Sequence, residues 1–257
     1  MSRYDIGSEP PAEVIAENYR EVQKCIREAA AEGAGGGSAD RAVKLVAVSK
    51  TKSPACLQAL YDCGHRDFGE NYVQEVVEKA AVLPGDIHWH FIGHLQSNKV
   101  KELLSGVSGL QIVQTVDSES LAQKLDSGCV SYRGGRPLDV YVQVNTSGET
   151  TKSGVEPGSA TVELARHIST KCPNLRLTGL MTIGMPDYTS RPENFECLLR
   201  CREEVAAALN LDATTLALSM GMSGDYTNAI RMGSTVVRVG TGLFGQRYYP
   251  PKDGAAK

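Results

Sequence analysis

One regularity constrains the fold of this chain more than any other. Short apolar runs with β character alternate, about eight times, with stretches of helical period. The runs are Lys44–Lys50, Arg66–Gly69, His88–Ile92, Leu110–Thr115, Asp139–Val144, Leu175–Leu180, Thr215–Leu218 and Thr235–Val239. Helices are predicted between them over Pro54–Cys63, Tyr72–Val82, Asn98–Leu104, from Asp117 or Ser118 onward, Val155–Cys172, Glu193–Leu209 and Asp225–Met232. Gly64, Pro84-Gly85 and Gly233 supply the stops. Parallel strands need a crossover, and helices between strands are that crossover. Eight such units predict an α/β fold, a closed (β/α)8 TIM barrel; an open doubly wound sheet is the alternative on the same pattern.

Residues 1–257 read as one domain, with an N-terminal helix over about 12–32, a flexible linker at 33–40 and a tail at 250–257 expected to be disordered. Too few residues follow Val239 to build a further domain. The net charge of -3 leaves no basic footprint for nucleic acid or for an anionic membrane surface. No apolar run reaches the length of a membrane span. The seven cysteines are odd in number, scattered and free of any CxxC pair, which predicts reduced thiols and a cytoplasmic location. Acidic residues at Asp5, Glu9, Glu13 and Glu17 argue against a mitochondrial transit peptide.

In a barrel of this kind chemistry sits where strands end. Lys50 ends the first strand, on the same face as Val46 and Val48. A partly desolvated lysine there has a lowered pKa and a nucleophilic amine; a lysine that ends a strand and reaches into water is the plainer reading. Glu70 and Asn71 follow the second strand, His94 and Gln96 the third, and Ser219 and Ser223 the seventh. Ser223 is expected to cap the following helix, and Gly240-Thr241-Gly242 follows the eighth strand. Glycines and a helix start together make a phosphate cradle; a tight turn is the alternative. Arg238 interrupts Val236-Val237-Arg238-Val239 and must find a partner, either Glu70 in a salt bridge or a ligand on the barrel axis. His88 and His90 share a strand face as two zinc ligands would, but nothing nearby completes the set, so no metal is expected. Amine, guanidinium and phosphate cradle at one barrel end suit an aldehyde bearing a phosphate and a ring nitrogen, and pyridoxal 5'-phosphate (PLP) has all three.

Several stretches carry a resemblance: Val46–Lys52, Phe68–Glu75, His90–Lys99, Leu180–Gly184, Ser219–Ser223 and Val237–Thr241. Together they resemble the pyridoxal phosphate homeostasis proteins, over about Ala12 to Tyr249. The resemblance implies a fold-type III barrel like the N-terminal domain of alanine racemases. It implies a Schiff-base role for Lys50, Arg238 against the pyridine nitrogen, Ser223, Gly240 and Thr241 around the phosphate, and Asn71 lining the site. It further implies a non-enzyme that holds PLP, takes part in vitamin B6 homeostasis and delivers the cofactor to apo PLP-dependent enzymes. A monomer is expected. An arginine at the ring nitrogen discourages its protonation and weakens the ring as an electron sink. The alternatives are an amino-acid racemase of weak activity and a lysine-dependent aldolase acting on a sugar phosphate.

Overall fold

The computed structural model describes residues 9–33, 42–149, 153–184 and 192–246. The expected tail, the expected linker beyond Gly33, and Lys152 lie outside the described residues. Helix α1 (Ala12–Glu32) buries Ile15, Val22, Ile26 and Ala29 along one stripe and packs against α2 (Pro54–Asp62). The remaining elements are β1 (Lys44–Val48), β2 (Asp67–Glu70), α3 (Val73–Ala80), β3 (His88–Phe91), α4 (Val100–Gly106), β4 (Leu110–Val116), α5 (Glu119–Arg133), β5 (Leu138–Gln143) and α6 (Ser159–Lys171). They continue with β6 (Leu175–Met181), α7 (Pro192–Leu209), β7 (Ala217–Met222), α8 (Tyr226–Arg231), β8 (Val236–Val239) and α9 (Thr241–Phe244). Each strand pairs in parallel with the next, and β8 pairs with β1, so the sheet closes as a (β/α)8 barrel.

Closure sorts side chains by the strand period of two. On β1, Leu45 and Ala47 point into the apolar sheath between strands and helices, and Val46 points into the barrel with Ile112, Tyr141, Met181 and Val236. Phe68, Trp89 and Phe91 fill the sheath, each side chain contributing about 1.5–3 kcal/mol of burial. The interior is kept open for its larger side chains by glycine. A Cβ on Gly69 would lie 2.7 Å from Val46 Cγ1, and one on Gly179 would lie 2.9 Å from the Tyr141 ring.

Three boundaries differ from expectation in ways that matter for the site. Strand β1 stops at Val48, so Lys50 stands in the turn beyond it. Helix α6 starts at Ser159 because Val155 forms a bridge with Val144 and Gly158 turns at φ 85°. The largest difference is β7, which runs on through Met222, so Ser219 lies inside the barrel rather than in the loop after it. Met-Gly-Met reads as loop because it lacks β-branched residues. In the fold, Gly221 takes φ 96° where the β7–β8 register shifts, and the strand continues past it. Among the described residues no helix is long and apolar enough to cross a membrane.

Candidate functional site

The turn after β1 is built under strain. Lys50 is half-buried, and the next residue, Thr51, holds φ at 66°. A β-branched residue in that region costs about 1–3 kcal/mol and persists only where its surroundings insist on it. The surroundings here are a buried ionic cluster. The Thr51 N–H donates to Glu75 Oε2 at 2.8 Å. Lys79, fully buried, donates to Glu70 Oε1 at 2.6 Å, to the same Glu75 oxygen at 2.9 Å and to the Ser49 carbonyl at 2.9 Å. The Ser49 hydroxyl donates to Glu70 Oε1 at 2.7 Å. One ammonium thus pins the residue before Lys50 and, through Glu75, the residue after it. Burial pushes the Lys79 amine down, but the charges of Glu70 and Glu75 outweigh it and keep Lys79 protonated. Burial pushes the Glu70 carboxyl up against the pull of Lys79. Lys52, also buried, donates to the Gln246 carbonyl at 2.7 Å.

Arg238 reaches into the barrel from β8 and is 4% exposed. Its guanidinium donates to Ser219 Oγ at 2.7 Å and to the Thr182 carbonyl at 2.7 Å. Among the described residues no carboxylate pairs with it; Glu70, a possible partner from sequence, is taken by Lys79. Burial pushes the Arg238 pKa down to about 10, with Asp225 pulling the other way, so the group is a cation at neutral pH. A guanidinium carries more donors than these two acceptors use.

The loops after β7 and β8 meet at Ser223. Its hydroxyl oxygen accepts from the N–H of Gly240 at 3.2 Å and of Gly242 at 3.4 Å. Ser223 does not cap α8 as expected: Asp225 stands at the N-cap position, and its Oδ1 accepts from the Met222 N–H at 2.6 Å. The missing side chain at Gly240 lets the two strand ends approach, since a Cβ there would lie 3.2 Å from the Val48 carbonyl oxygen. Thr241, half-buried, opens α9.

Asn71 follows β2, and its buried Oδ1 has no hydrogen-bond partner. It lines a cavity of about 610 Å³ together with Glu75, Phe91, Gly93, His94 and Gln96. Lys50, Asn71, Ser223, Arg238, Gly240 and Thr241 therefore fall on one arc of the barrel, β7–β8–β1–β2, at the ends of strands or, for Arg238, within one. His88 is exposed and His90 is buried in the barrel, and both face Asp67 Oδ1, His88 Nδ1 at 3.6 Å and His90 Nε2 at 3.0 Å. Among the described residues no group of three or more His, Cys, Asp or Glu side chains is arranged to hold a metal ion. The Thr51 backbone and the Glu75–Lys79 pair were not legible beforehand. Their spacing of four along a helix signals an ion pair, but such pairs normally face water.

Residues 36–248 match the family model described as alanine racemase, N-terminal domain. The human pyridoxal phosphate homeostasis protein is 46% identical over 217 residues, covering 81% of this chain and 78% of the relative. Its Caenorhabditis elegans namesake is 45% identical over 234 residues, covering 88% and 95%. Among solved structures, PipY of Synechococcus elongatus with PLP bound is 31% identical with a TM-score of 0.69, covering 90% of this chain and 100% of PipY. An alanine racemase from Corynebacterium glutamicum shares the fold at 13% identity and a TM-score of 0.64, this chain spanning 64% of it. A barrel closed in the same way, matched over most of its length by these relatives, belongs to the alanine racemase N-terminal-domain family and, within it, to the pyridoxal phosphate homeostasis proteins.

Proposed function

We propose that this protein binds PLP through Lys50 and serves PLP homeostasis by holding the cofactor and passing it to apo PLP-dependent enzymes. The observation that carries the reading is Arg238: a buried guanidinium that, among the described residues, hydrogen-bonds neutral acceptors, on the strand next to the one that delivers Lys50. Such a group suits a neutral ring nitrogen, which accepts a hydrogen bond, better than a protonated one. Ser223, Gly240 and Thr241 suit the phosphate, because the Ser223 hydroxyl already gathers the N–H groups of Gly240 and Gly242, on either side of Thr241. Asn71 lines the site with an unsatisfied buried oxygen. When bound, the cofactor supplies an aldehyde for a lysine amine and an anion for the loop donors. The chain's own residues then orient it: the ionic cluster fixes the Lys50 turn, and Arg238 disfavours ring protonation.

The relatives' names and the PLP-bound PipY support the cofactor and the homeostasis role. An arginine at the ring nitrogen supports a non-catalytic carrier, since it blunts electron withdrawal. Seven unpaired cysteines support a cytoplasmic compartment, and the closed eight-stranded barrel supports a single domain acting as a monomer. Borohydride reduction of the PLP-loaded protein followed by peptide mapping tests the assignment. The label is expected on Lys50; a label on Lys52 overturns it. Steady racemisation of added D- or L-amino acids by the loaded protein would overturn the carrier reading.

A further inference from the structure

A chain of polar side chains runs across the barrel interior, beside Val46, Ile112, Tyr141, Met181 and Val236. Arg238 on β8 donates to Ser219 Oγ on β7 at 2.7 Å. The Ser219 hydroxyl donates to Gln114 Oε1 on β4 at 2.7 Å. The Gln114 amide nitrogen lies 3.0 Å from His90 Nδ1 on β3, and His90 Nε2 lies 3.0 Å from Asp67 Oδ1 on β2. Ser219, Gln114 and His90 are each 0% exposed.

Chemistry gives the chain one direction. A carboxylate only accepts, so His90 Nε2 carries the proton and donates to Asp67. Gln114 accepts from Ser219 with its oxygen, so its N–H2 faces His90, whose Nδ1 must accept. Ser219 has one proton, already given to Gln114, so toward Arg238 its oxygen only accepts. Every donor therefore points from the guanidinium to the carboxylate, and hydrogen bonds aligned this way polarise one another. Among the described residues no carboxylate hydrogen-bonds Arg238 directly, but the chain joins it to Asp67 across the barrel.

We propose that Ser219, Gln114, His90 and Asp67 are positioning residues for Arg238, a one-way hydrogen-bond chain that holds the guanidinium in a single orientation toward the cofactor ring. The inference rests on the reading of Arg238 given above. It requires His90 to be neutral in a single tautomer, and burial, which lowers the imidazole pKa, favours that form. The groups that set its charge are Asp67 from β2, which favours the cation, and Lys44 from β1 and His88 from β3, which oppose it. Protonating His90 would set two N–H groups against each other at Gln114. The amide would then have to turn over, and Ser219 would lose its acceptor.

The test compares Gln114→Leu, Ser219→Ala, Arg238→Ala and, as a packing control inside the same barrel, Tyr141→Phe. PLP affinity is read by equilibrium dialysis, the bound cofactor by its absorption maximum, and folding by circular dichroism. Gln114→Leu and Ser219→Ala are expected to shift the absorption band in the same direction as Arg238→Ala and to weaken affinity about tenfold. Adding Gln114→Leu to Arg238→Ala is expected to change nothing more, because both remove one effect. Tyr141→Phe is expected to behave as the unaltered protein. If Arg238→Ala shifts the band while folded Gln114→Leu and Ser219→Ala do not, the chain is overturned and the reading of Arg238 stands. If Arg238→Ala itself leaves band and affinity unchanged, the reading of Arg238 falls and the chain with it. The Ser219→Ala change deletes a single oxygen, so it decides the matter should Gln114→Leu fail to fold.

Discussion

Two buried cations stand on either side of Lys50, and they are treated in opposite ways. Lys79 is fully buried and meets two carboxylates directly, Glu70 at 2.6 Å and Glu75 at 2.9 Å. Arg238, 4% exposed, meets a hydroxyl and a carbonyl, and among the described residues its hydrogen bonds lead to a carboxylate through a relay. A cation whose charge is answered on the spot is committed to structure, and Lys79 spends its donors on the Ser49–Thr51 turn. A cation answered by neutral acceptors keeps donor capacity for something else. The same distinction separates the two loops: one is locked around Lys50, the other gathers the N–H groups of Gly240 and Gly242 at the Ser223 hydroxyl.

Lys50→Ala would break the comparison most completely. Lys79 and Arg238 would remain in place, yet borohydride should fix no cofactor to the protein, as measured by mass spectrometry. Lys79→Met should be the next largest effect. Removing one partner of a buried ionic cluster costs about 3–5 kcal/mol, read as a fall in the urea midpoint of unfolding. Arg238→Met should do the reverse: little change in stability, but PLP affinity lower by about 1–3 kcal/mol in a binding titration. Equal stability losses from the two substitutions would erase the distinction.

A pH series sharpens it further. Burial holds the imidazoles of His65 and His90 below their ordinary pKa, so both are neutral in the folded protein. The unfolded chain takes up these protons first as pH drops. Their contribution is therefore complete above about pH 6.5 and is lost as pH falls toward the folded values, each by up to about 1.4 kcal/mol per pH unit. Unfolding at pH 7.5 and 5.5 should show this loss, and His90→Gln should reduce it. The smallest expected effect is at the strained turn. Thr51→Gly should raise stability by about 1 kcal/mol while slowing capture of the cofactor, because the turn relaxes.

Particular elements show why some of this was legible in advance. Val46 and Arg238 alternate with sheath residues on β1 and β8; the strand period sets each on the face opposite those neighbours, and closure makes that face the barrel interior. Asp117 or Ser118 is expected at a helix start, and it is the Ser118 hydroxyl that accepts from the Leu121 N–H at 3.3 Å. By contrast, the sequence sets Ser219 in a loop, because Met220-Gly221-Met222 carries no β signal. Glu70 was a candidate partner for Arg238, and nothing in the chain showed that Lys79 would reach it first.

The sequence by itself determined the alternation of strands and helices and the family, because strand period, turn residues and short motifs are local properties. It also marked the strand-end residues that are candidates for cofactor contact. Only the tertiary structure decided which buried charges meet. Lys79 finds Glu70, and Arg238 is joined to Asp67 through Ser219, Gln114 and His90, because barrel closure brings together strands far apart in the chain. Partnership across a closed barrel depends on register and on which side chain fills the axis, and neither quantity is written in any short stretch of residues.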